Sequence, residues 1–135
     1  MDEYSVVWDD SFSVGFEPID IQHKELVLMT NELLQGCKRG AMAADIAFLR
    51  IIRKAVEYAK THFADEEKYM DQTNYPKLNE HKKEHEDFVA QVLKAVKEFE
   101  SGNTAPLSMA EFLKNWLLNH IAVSDKQYAP YLAKL

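Results

Sequence analysis

Long apolar runs, basic blocks, glycine, proline and cysteine are all scarce in this chain. No apolar run approaches the roughly 20 residues that a membrane-spanning helix needs, so insertion by that route is not expected. The stretch MDEYSVVWDDSF is acidic and lacks the charged-then-apolar pattern of a secretory signal. A net charge of −6 without any stripe of lysine or arginine argues against a nucleic-acid partner, because nothing is in place to neutralise phosphates. The one cysteine, Cys37, permits neither an internal disulfide nor a thiolate zinc site, and a reducing, cytoplasmic setting is expected. Four glycines and four prolines in 135 residues favour long regular elements over many turns.

What remains is helical periodicity. The length suits one domain over residues 1–135 with a single core. After an N-terminal arm, the clear breaks are GCKRG, TNYP and SGNTAP, which predict helices at about 19–37, 43–71, 76–100 and 108–124. Pro76 suits a first helical turn, and Ser108 with Glu111 has the form of a capping box. A short C-terminal helical tail is expected around KQYAPYL. Each helix carries one apolar stripe with steps of three and four. The first runs Ile19, His23, Leu26, Thr30, Leu33, Cys37, and the second Leu49, Ile52, Val56, Ala59, His62 with Phe63, Glu66, Met70. The third runs Leu78, His81, His85, Phe88, Val92, Val96, Phe99, and the fourth Phe112 with Leu113, Trp116 with Leu117, His120. Short connections make such helices antiparallel neighbours, so the expected fold is all-α, an up-down-up-down four-helix bundle.

All five histidines lie on these stripes. His23, His81 and His85 stand near the starts of their helices, and His62 and His120 near the ends. In an antiparallel bundle those positions share one end, where Glu66 joins them. A single core histidine is usually satisfied by a carbonyl or a carboxylate. Five converging imidazoles cannot all charge in a core, and as neutral rings they have few donors to share. A metal accepts all of their lone pairs. Imidazole with carboxylate and no thiolate suits iron, zinc, copper, nickel or manganese, and five histidines exceed the needs of one tetrahedral zinc. Two ions are indicated, with Glu66 a candidate bridge.

Two rival motifs fit less well. HKKEH has the form H-x-x-E-H of an inverted zinc-peptidase site, but that reading leaves His23, His62 and His120 unused and Glu84 off the stripe. Ferritin-like di-iron bundles need Glu-x-x-His pairs on two helices, and none occurs.

The arm with Trp8 and VGFEPIDIQHKEL, followed by HFADEE, HKKEH and HIAVSD in this order, resembles the single-domain bacterial members of the hemerythrin family over nearly the whole chain. The resemblance implies reversible dioxygen binding at a non-haem centre of two irons bridged by an oxo or hydroxo group. It implies that His81, His85 and His120 hold one iron and that His23 and His62 hold the other, which keeps an open position. Glu66 and Asp125 would bridge both. The residues alone read Asp125 as a cap for the tail. Five residues along an α-helix turn about 140°, so the helix must end or distort between Ile121 and Ser124 for Asp125 to face inward. By family position, Leu26, Phe63, Trp116, Leu117 and Ile121 would wall the oxygen pocket, although core packing alone also explains them. The expected role is an oxygen carrier, store or local supplier, not an enzyme. The alternatives are an oxygen or redox sensor acting through a separate protein partner, and reduction of peroxide or nitric oxide.

Overall fold

A computed structural model describes residues 5–102 and 106–135. A 3-10 turn, Asp10–Phe12, precedes helix α1 (Glu17–Lys38). Pro18 sits in the first turn of α1, where a missing N–H costs nothing, and Glu17 and Asp20 face the positive end of its dipole. Gly40, at φ +113°, turns the chain into helix α2 (Ala41–Gln72). Helix α3 (Leu78–Glu100) returns, and α4 (Pro106–Trp116) follows. From α4 the chain runs without a break through a π-helical segment, Leu117–Ser124, into α5 (Asp125–Leu132). α1 packs on α2 and α4, and α2 on α3, which is the all-α four-helix bundle. The described residues include no strand.

Several local expectations change. Pro76 lies in the turn ahead of α3, whose helical hydrogen bonds begin two residues later. Ser108 is inside α4 because Pro106, with φ already near the helical value, starts that helix earlier. The middle of the SGNTAP break, residues 103–105, lies outside the described residues. Gly36 lies inside α1, as the expected helix over 19–37 has it. A Cβ there would lie 2.5 Å from the Cβ of Ala47, so the glycine lets α1 and α2 approach closely. Leu49 is exposed at 61% while Phe48 is buried, since the inward face of α2 passes through Phe48 and Ile52. The expected tail is continuous with the fourth helix rather than a separate piece.

The apolar residues form two layers. The larger core contains Leu26, Leu33, Ile52, Ala59, Phe63, Phe88, Val92, Leu113 and Leu117, among others. A smaller cluster of Val14, Ile19, Met70, Tyr75, Tyr128 and Leu132 closes one end of the bundle. On each helix the histidines fall between a residue of one layer and a residue of the other. Ile19 and Leu26 flank His23, and Ala59 and Met70 flank the pair His62 and Glu66. The arm is tied across this end: Asp20 accepts from Val14 N–H at 2.9 Å and from Ser13 Oγ at 2.6 Å. Farther up, Asn31 brackets Val6, accepting from its N–H at 2.6 Å and donating to its carbonyl at 2.7 Å.

Candidate metal centre

Between the two layers the side chains of His23, His62, Glu66, His81, His85, His120 and Asp125 meet, each of them at most 3% exposed. α1 supplies His23, α2 supplies His62 and Glu66 one turn apart, and α3 supplies His81 and His85 one turn apart. His120 comes from the π-helical segment and Asp125 from the first residue of α5. There the Asp125 N–H bonds to the His120 carbonyl, a link between residues five apart. That link sets the two side chains one above the other and removes the 140° offset of an α-helix. The distortion spans the whole of Leu117–Ser124, a longer stretch than the sequence suggested.

The donors form two sets around shared carboxylates. Glu66, His81, His85, His120 and Asp125 form one; His23, His62, Glu66 and Asp125 form the other. All seven residues expected as ligands fall in these sets. Asp125 Oδ1 lies 2.7 Å from His81 Nε2 and 3.2 Å from His120 Nε2, while its Oδ2 lies 3.0 Å from His23 Nε2. Glu66 Oε1 lies 3.0 Å from His62 Nε2 and 3.3 Å from His85 Nε2. Two donors bonded at 2.0–2.2 Å to one ion and at right angles to each other stand about 3 Å apart, the spacing found here.

The protons make the same point. His62 Nδ1 meets Gln22 Oε1 at 2.6 Å, and Gln22 Nε2 in turn donates to Asp65 at 2.7 Å. His85 Nδ1 meets Glu67 at 2.9 Å. An acceptor at Nδ1 places the proton there, so the Nε2 lone pair of each ring points into the cluster. The inward atoms of all seven residues include buried nitrogens and oxygens with no hydrogen-bond partner, among them all five Nε2 atoms and both oxygens of Asp125. Lone pairs facing carboxylates need a cation between them. Without a metal, protons must serve. Burial opposes charge on His23, but contacts with Asp125 and Glu66 outweigh it and raise its pKa to about 9. Burial likewise opposes charge on His120, yet Asp125 carries it to about 10. Burial pushes the Glu66 carboxyl up, but the facing histidines, His62 foremost, hold it well below the usual range. Asp125 is also held low, by His120 and His23, against its own burial and the neighbouring Glu66.

Apolar and aromatic groups seal the cluster. Phe63 stacks on His85 with ring centres 3.9 Å apart, and Trp116 on His120 at 4.3 Å. Leu26, Leu117 and Ile121 are buried, and Trp116 is half-buried. A cavity of about 10 Å³ lies among Leu26, Thr30, Phe88, Leu113, Trp116 and Leu117. Tyr128 donates to Glu66 from the end layer, and burial beside two carboxylates keeps its hydroxyl protonated. Sequence reasoning missed Gln22, Asp65, Glu67, Glu84, Ser124 and Tyr128. Gln22 and Glu67 each flank a proposed ligand but serve a histidine on another helix, His62 and His85, a pairing that spacing along one helix does not reveal.

Comparison with known proteins gives one family. Residues 14–132 match the model of the hemerythrin HHE cation binding domain. A bacteriohemerythrin of Stenotrophomonas maltophilia is 32% identical over 127 residues, covering 92% of this chain and 79% of its own. A myohemerythrin of Riftia pachyptila is 36% identical over 124 residues, covering 90% and 89%. The crystal structure of a wild-type hemerythrin, 27% identical, superposes with a TM-score of 0.80 over 95% of this chain and 98% of its own.

Proposed function

Because the chain belongs to the hemerythrin family, we propose that it binds dioxygen reversibly at a non-haem di-iron centre held by these seven side chains. The observation that carries this reading is the pair of donor sets sharing Glu66 and Asp125, with their inward atoms buried and unpartnered. His81, His85 and His120 would hold one ion, and His23 and His62 the other. The two-histidine set has one donor fewer, which leaves room for a small ligand. When bound, two ferrous ions supply the two electrons that dioxygen takes up and later returns.

The chain's own residues account for reversibility. Leu26, Phe63, Trp116, Leu117 and Ile121 keep bulk water from the cluster, so few protons reach a bound ligand. The neighbouring cavity, about 10 Å³ with a mostly apolar lining, is at the lower limit for one water. Gln22 and Glu67 fix the tautomers of His62 and His85, and Tyr128 orients Glu66. This is a binding site, suited to a carrier, store or local supplier of oxygen, and not an enzyme. No helix among the described residues is long and apolar enough to cross a membrane, and the single cysteine suits the cytoplasm.

Metal analysis with spectroscopy tests the reading. Purified protein should carry two irons per chain, and the reduced form should gain a visible absorption band in air that disappears when oxygen is removed. One zinc per chain with no such band would contradict it.

A further inference from the structure

The π-helical segment carries His120 and leads directly into Asp125, yet its hydrogen bonding departs from the helices on either side. Such turns are rare and short, so an eight-residue stretch needs contacts that favour it over the α-helix. α3 provides them. Glu84 Oε1 accepts from Ser124 Oγ at 2.9 Å and lies 3.4 Å from His120 Nδ1. Its Oε2 lies 3.9 Å from His81 Nδ1. One carboxylate therefore reaches both ends of the stretch that separates His120 from Asp125.

We propose that Glu84 is a positioning residue: through Ser124 and His120 it fixes the π-helical segment against α3 in the register that turns Asp125 towards the histidines. The inference rests on reading the seven side chains as a metal centre. Gln22 and Glu67 each contact one histidine ring, whereas Glu84 also holds the segment itself. The Glu84 side chain is 45% exposed and borders a surface groove of about 260 Å³ shared with Phe88, Trp116 and Asn119. Water from that groove can replace its hydrogen bonds but cannot fix the register.

The test compares the parent with Glu84→Ala, Glu84→Gln and Ser124→Ala, each loaded with cobalt(II) under argon and titrated with a competing chelator. The parent should hold two ions per chain. Glu84→Ala should retain cobalt about 10- to 100-fold less tightly, the range for loss of an outer partner of a metal-bound histidine. Backbone amide exchange over residues 117–125 should rise with it. Ser124→Ala should show part of both effects. Glu84→Gln can set its amide oxygen where Oε1 stands and accept from both His120 and Ser124, so it should recover parental retention. A Glu84→Ala protein that keeps parental affinity overturns the proposal, as does a Glu84→Gln protein as weak as the alanine variant. If Glu84→Ala does not fold, unchanged affinity and exchange in Ser124→Ala overturn it equally. A parent that cannot hold two cobalt ions instead overturns the reading of the site itself.

Discussion

Facing carboxylates raise the pKa values of His23 and His120 to about 9 and about 10 in the absence of a metal. Both are raised above the ordinary 6.5, so their contribution to metal-free stability is complete below about pH 6.5 and is lost as pH rises through 9 and 10. Glu66 and Asp125 are shifted down from 4.5 and 3.8, so their contribution is present above those values and is lost as pH falls. The metal-free protein should therefore be most stable between about pH 4.5 and 6.5. Metal ions take over the role of the protons, so the loaded protein should hold its melting temperature across the alkaline side of that window. Thermal melts across the pH range, with and without metal, check both statements. A metal-free melting temperature that rises from pH 7 to 9 would contradict the first. At this scale the sequence was only partly legible. Five histidines and Glu66 on inward stripes announced themselves by spacing, whereas Glu84 and Ser124 are half-exposed polar residues that no periodicity distinguishes.

At the scale of elements, the four helices were readable because each keeps an uninterrupted stripe between a few strong breaks. The errors arose where one local signal met a stronger one. Ser108 looks like a cap until Pro106 starts the helix first. Asp125 was beyond periodicity altogether, since a 3.6-residue repeat turns it away from His120 and only the family resemblance put it inside. The link from the Asp125 N–H to the His120 carbonyl does what the α-helix would not. That link leads to a paired expectation. Deleting Val123, which is 54% exposed, leaves Asp125 four residues after His120, so an ordinary α-helical turn can keep the two side chains adjacent. The deletion variant should retain two metals per chain, whereas inserting one alanine after Val123 should lose the carboxylate and with it metal. Elemental analysis of the two variants decides it. Equal metal content in both would mean that the register of this segment does not govern the site.

Across the whole molecule, the bundle places a charged, polar layer between two apolar ones. Ile19, Met70, Tyr128 and Leu132 cover it from the end, and Phe63, Phe88 and Leu117 from within. Such a layer is costly without a cation and stable with one, so metal binding and folding are linked. The sequence announced this arrangement through the order of residues on each helix, but not the outer hydrogen bonds, which depend on how neighbouring helices are rotated against each other. The most direct test of the central claim is gas uptake by the ferrous protein in a closed cell, followed by purging with argon. The account predicts one dioxygen taken up for every two irons, returned on purging, and taken up again in further cycles with no loss of iron. Oxygen consumed once and not returned, leaving the protein oxidised, would contradict it.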